Sequence, residues 1–153
     1  MKKLLYSIVA LLALGTSFVA CSDDDEVSSS LNASQTPEIA AEGTYSGEWV
    51  QILDGDSVWS SGSIIITRTD SAYCADITFN CEDFSLTQTS VANITYAGNT
   101  ESFVFGNSST ENGLGTSFTG RIDNGSASAM FSLTQKSGRK SYTYDYRFNG
   151  TRE

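Results

Sequence analysis

The dipeptide Asn124-Gly125 restricts the fold more than any other segment of this chain. Both residue types tolerate positive φ, which makes the pair a favoured two-residue connection of a β-hairpin, the type I′ turn. A turn there joins Ser117–Asp123 to Ser126–Gln135. It sets Ile122 opposite Ala127, Gly120 opposite Ala129 and Phe118 opposite Phe131. All six share one face in the two-residue period of a strand, so turn chemistry and apolar pattern specify the same register.

The same reasoning extends along residues 43–153. A turn at Ser137-Gly138 pairs Leu133 with Tyr142, Phe131 with Tyr144 and Ala129 with Tyr146. Gly98-Asn99 places Ile94 against Phe103. Asp70-Ser71 places Ile66 against Ala75 and Ile64 against Ile77. Each arrangement keeps apolar residues on one face, and such agreement between local and global signals marks a foldable register. With Gly43–Leu53 and a shorter run near Phe84–Thr89, about eight antiparallel strands are expected. A sheet of that size must hide its edges, by closing or by packing as two layers. Short successive hairpins favour a small up-and-down β-barrel. A β-sandwich is the alternative.

The N-terminal third reads differently. Lys2 and Lys3 precede a mostly apolar run, Leu4–Leu14, too short to span a bilayer as a helix but suited to a secretory signal over residues 1–20. Residues 21–42 are rich in Ser, Asp, Glu and Ala, hold the single proline, Pro37, and follow no period. They read as an acidic, flexible tether. Of the 18 acidic residues in a chain of net charge −9, six precede Gly43, so much of the charge belongs to this leader. An acidic chain lacks the basic surface that phosphate contacts require, and no nucleic-acid partner is expected.

Phe18-Val19-Ala20-Cys21 resembles the lipobox of bacterial lipoproteins, with Phe18 where the strict form carries leucine. The resemblance implies cleavage before Cys21, lipidation of its thiol and attachment to a membrane. Ser22-Asp23-Asp24-Asp25-Glu26 resembles the acidic signal that sends Bacteroidetes lipoproteins to the cell surface. This implies a surface location on the outer membrane, with the periplasmic face as the alternative. The domain is similar to the calycin-like β-barrel lipoproteins of the Bacteroidetes, relatives in shape of the lipocalins. The likeness rests on Gly43-Thr44-Tyr45-Ser46-Gly47, Ile94–Thr100, Phe118–Gly125 and Phe148-Asn149-Gly150-Thr151-Arg152. Gly47-Glu48-Trp49 also matches the lipocalin Gly-x-Trp, in which the tryptophan plugs the closed end of the barrel.

Chemistry is sparse. The chain has no histidine, which removes the commonest general base and metal ligand, and no obvious base stands ready to activate a serine. Asp54-Gly55-Asp56-Ser57 offers two carboxylates, short of the six to eight oxygens that calcium takes, and reads as a turn. No enzyme activity, cofactor or metal is expected. Cys74 and Cys81 on one strand would lie about 23 Å apart and face opposite ways. They are therefore expected to be free thiols, Cys81 beside Phe79 and Cys74 outward. Trp49, Tyr96, Phe118, Phe131, Tyr144 and Tyr146 are the candidate ligand-lining residues, forming either an aromatic cup or a core packed solid. The leading expectation is a non-catalytic lipoprotein that binds a small hydrophobic or carbohydrate ligand. The alternative is an accessory lipoprotein with a filled core that docks to a membrane or surface complex.

Overall fold

The computed structural model describes residues 35–153. Signal peptide, Cys21 and most of the tether lie outside the described residues. Eight antiparallel strands follow one another around a closed barrel: β1 (Gly43–Leu53), β2 (Asp56–Arg68), β3 (Cys74–Cys81), β4 (Leu86–Tyr96), β5 (Ser102–Asn107), β6 (Phe118–Asp123), β7 (Ser126–Ser137) and β8 (Lys140–Arg152). Pairing of β8 with β1, from Tyr45↔Arg152 to Ile52↔Asp145, closes the ring, so that every strand has a neighbour on both sides over part of its length. The barrel is the expected architecture, and the sandwich is excluded.

The Asn124-Gly125 hairpin has the expected register, Ile122↔Ala127, Gly120↔Ala129 and Phe118↔Phe131. Asn124 and Gly125 carry φ of 47° and 80°, the positive values this turn requires. Three other hairpins are shifted by two residues. Around Gly138-Arg139 the pairs are Leu133↔Tyr144, Phe131↔Tyr146 and Ala129↔Phe148, because Gly138, at φ 63°, opens the loop rather than closing it. Ile94 pairs with Phe105 rather than Phe103, since Asn99 accepts the Glu101 N–H (2.8 Å) and builds a longer loop. Ile66 pairs with Ile77 and Ile64 with Phe79, because Thr69 accepts the Ser71 N–H and Tyr73 turns at φ 62°. A shift of two preserves which face is apolar, so the core is unchanged. The strand expected near Phe84–Thr89 starts at Leu86, after a 3₁₀ turn over Glu82–Phe84.

Residues 35–42 belong with the barrel rather than with a flexible tether. Pro37–Ala41 form a short helix, α1, with Pro37 in the first turn, where its missing N–H costs nothing. Three side chains hold this segment across one barrel end. Tyr45 donates to Ala41 O (2.9 Å), Tyr96 to Gln35 O (2.7 Å), and Arg152 to Ala40 O (3.3 Å) and Glu42 O. Glu38 is buried and accepts from the Thr36 hydroxyl and the Tyr73 N–H. Burial alone would raise its pKa, but hydrogen bonds from Thr36, its own backbone and Tyr73 outweigh burial and hold it below the ordinary glutamate value. A carboxyl depressed in this way stabilises the fold above its unfolded value of about 4.3, and that contribution is lost as pH falls through the folded value. The denaturation midpoint of the wild type is therefore expected to fall more steeply in acid than that of Glu38→Gln. Parallel curves would show that Glu38 contributes nothing to the pH dependence.

Cys74 and Cys81 cap the two ends of β3 and are free thiols. Cys81 is buried on the face of Phe79, whereas Cys74 is half-buried on the outer wall. An alkylating reagent is expected to modify Cys74 in the native fold and Cys81 only after denaturation, as located by peptide mass mapping. Equal native labelling would contradict the packing around Cys81.

Candidate functional site

The barrel interior is aromatic and closely packed. Trp49 lies with its ring centroid 5.0 Å from Phe148, 5.8 Å from Phe131 and 6.1 Å from Phe79. Phe79 meets Phe118 at 5.2 Å, and Phe131 stacks on Tyr146 at 5.1 Å. These spacings are those of rings in direct contact, and no ligand fits between them. Trp49 is fully buried and donates its indole N–H to Asn80 O at 3.0 Å. It sits in this middle layer, six residues into β1. Tyr45 and Ala41 instead close the end covered by α1.

The six candidate aromatics therefore do not form one cup. Trp49, Phe118, Phe131 and Tyr146 belong to the packed centre. Tyr144 is partly buried against it, at the end opposite α1. Tyr96 lies at the α1 end, 5.3 Å from Phe103, with its hydroxyl given to Gln35. Gln51 donates to the Tyr146 hydroxyl (2.7 Å), whose pKa is pushed up by burial, so that it stays protonated and fixed rather than serving as a base.

Open space lies in the side of the barrel. Pairing of β4 with β5 covers only Asn93–Tyr96, and β6 pairs with β7 only as far as Phe118↔Phe131. β7 runs on to Ser137 without β6 beside it. The wall thins at this point, and loop 108–117 folds back beside it. Asn112 builds that loop: its side-chain oxygen accepts the N–H groups of Leu114 (3.0 Å) and Gly115 (3.1 Å), and its amide donates to Thr116 O (2.7 Å). Ser90 donates to Asn112 O (2.6 Å), and Leu114 enters the core, which pins the loop to β4 and the interior.

The result is a cleft of about 540 Å³, open to solvent. One register row, Asn93↔Gly106↔Thr119↔Met130, crosses it on the outer wall. Phe118 and Phe131 lie at its bottom, and Ser117 and Ser132 stand on its rim. None of its eleven lining residues is charged. Only Phe118 and Phe131 were legible as lining residues from the sequence. Asn93, Thr119 and Met130 sit at ordinary outward positions of their strands, and no sequence signal distinguishes them. They come together because β4, β5, β6 and β7 pair in register along this row.

The remaining candidates resolve simply. Asp54-Gly55 is the β1–β2 turn, with φ of 51° and 94°. Glu82-Asp83 falls in the 3₁₀ turn rather than an extended strand, and Asp83 accepts from the Ser60 hydroxyl. Among the described residues no three acids or cysteines converge as metal ligands.

Fold and cleft together define a closed, eight-stranded antiparallel barrel with a filled centre and an uncharged opening in its wall. No protein-family model matches the chain, and no curated protein or solved structure matches it either.

Proposed function

We propose that this protein is a non-catalytic binding lipoprotein of the calycin-like type, anchored through acylated Cys21 on the outer membrane and exposed at the cell surface. It takes a small ligand in the side cleft between β4 and β7. The observation that carries the reading is that cleft: about 540 Å³ and open to solvent, it has the edges of Phe118 and Phe131 beneath seven Asn, Ser and Thr residues and no charge, whereas the depressions of about 520 and 530 Å³ elsewhere on the wall are lined in part by Arg121 and Asp123 or by Glu82 and Asp83. The lipobox-like residues ending at Cys21 and the acidic run after it support the anchor and the address.

The test is chemical-shift mapping of the folded chain against a library of small neutral and apolar compounds. Binders are expected to shift Asn93, Gly106, Thr119 and Met130 together. Thr119→Arg, an outward substitution that places bulk and charge in the cleft, is expected to weaken them about tenfold or more. Binders that ignore Thr119→Arg would place the site elsewhere.

A second reading, docking to a surface complex through the outer wall, is favoured by the filled centre and by two exposed side chains. Trp59 is 62 % and Met130 56 % exposed. Under that reading Trp59→Ala removes partner association, and no small ligand binds.

A further inference from the structure

We infer that the side cleft is built for a neutral saccharide, an inference that rests on the cleft being the binding site. Three observations lead there. The first is charge. The cleft has no charged lining residue, so an ionised ligand finds no counter-ion among the groups that line it. That favours an uncharged ligand over an ionised one.

The second is the kind of polar group. The rim is hydroxyl and carboxamide: Asn93, Ser117 and Thr119, with Ser132, whose hydroxyl is given to Asp145 (2.6 Å) and which keeps only acceptor capacity. The first three donate and accept, as ligand hydroxyls do, so one ligand hydroxyl can be satisfied on both counts. The amide N–H groups of Asn93 have no hydrogen-bond partner among the described residues, and its oxygen accepts only the long approach of the Cys74 thiol, at 4.0 Å. Asn107 is committed, donating to Val91 O and accepting from Ser109, and shapes the wall.

The third is how little apolar surface is offered. Phe118 and Phe131 are each only 5 % exposed, and Met130 supplies the remaining apolar contact. An acyl chain draws its affinity from burying each methylene, about 0.8 kcal/mol apiece, and needs a long apolar channel. The packed rings of Trp49, Phe79 and Phe131 close that route inward. The apolar face of one sugar ring asks for no more than ring edges and a thioether. The cleft also opens to solvent, so a longer chain can extend beyond the bound residue.

The experiment titrates the folded chain, isotope-labelled, with neutral oligosaccharides of glucose, mannose and galactose, with an oligogalacturonate and with palmitate. Neutral saccharides are expected to shift Asn93, Thr119 and Ser132 with a Kd of about 1 mM or tighter, weakened roughly tenfold in Thr119→Arg and measurably in Asn93→Ala. Palmitate or oligogalacturonate shifting those same residues in place of neutral sugars would overturn the saccharide and leave the cleft as the site. Saccharide shifts that persist unchanged in both variants would overturn the cleft itself. Silence of every neutral sugar overturns the saccharide inference. Unchanged amide spectra away from residue 119 show that Thr119→Arg is folded, and Asn93→Ala supplies an independent reading.

Discussion

Trp49→Ala is expected to destabilise the barrel by about 3–5 kcal/mol, the range for truncating a buried tryptophan or phenylalanine. Trp59→Ala is expected to stay within about 0.5 kcal/mol of wild type. The contrast follows from where the two indoles lie. Trp49 is wholly buried, touches Phe79, Phe131 and Phe148, and satisfies Asn80 O. Its removal leaves a cavity at the centre of the ring cluster and takes the indole donor from a partly buried carbonyl, two separate costs. Trp59 is on the outer wall, paired with Val50 and 62 % exposed. For a domain whose total stability is of order 5–15 kcal/mol, the first loss moves the denaturation midpoint far, and the second barely moves it. Urea midpoints of the two variants measure both. Equal effects would mean that Trp49 is not the keystone of the interior.

Gly62→Ala is the second large effect, expected at about 1–3 kcal/mol. A Cβ at position 62 would stand 2.3 Å from Asn80 O and 2.5 Å from Trp49 Cδ1. The carbonyl is backbone in the adjoining strand β3, and the indole is locked among rings, so neither yields cheaply. The added methyl therefore pushes on the same hydrogen bond that Trp49 makes. Combining Gly62→Ala with Trp49→Phe relieves part of that collision, and the two effects are expected to be non-additive by roughly 0.5–3 kcal/mol. Simple additivity in a double-mutant cycle would show that position 62 acts through something other than the indole.

The hairpins show how much of this fold was readable before any coordinates. Alternation assigned Phe118, Ile122, Ala127, Ala129, Phe131 and Tyr146 to the inner face, and all are buried, while Leu133, Tyr142 and Tyr144, assigned in the same way, are half-buried. The face of a strand residue depends only on parity, which alternating polarity reports directly. Absolute register needed the loop as well. It was right at Asn124-Gly125, where two residues make the whole turn, and two residues out at Gly138, Gly98-Asn99 and Asp70-Ser71. At the last two, side chains of Asn99 and Thr69 lengthen the loop through bonds to nearby backbone, which composition alone does not reveal. Residues 35–42 were misassigned for a related reason. Five helical residues give no period to detect, and α1 exists because Tyr45 just after it, together with Tyr96 and Arg152, remote in sequence, receive it.

The candidate site divides along the same line. That this domain is all-β, that its apolar faces turn inward, and that it has no histidine for catalysis or ligation follow from residue types and their order. Those are local properties, and each residue carries its own share of them. Whether the aromatics would form a cup or a plug depends on ring-to-ring distances across the barrel, between strands as far apart in sequence as β1 and β8. The cleft depends on β6 ending while β7 continues, and on Asn112 folding loop 108–117 back onto β4. Unequal strand lengths on neighbouring staves leave no mark in a pattern of period two. A gap in a barrel wall is a property of the closed ring, and it exists only once the ring has closed.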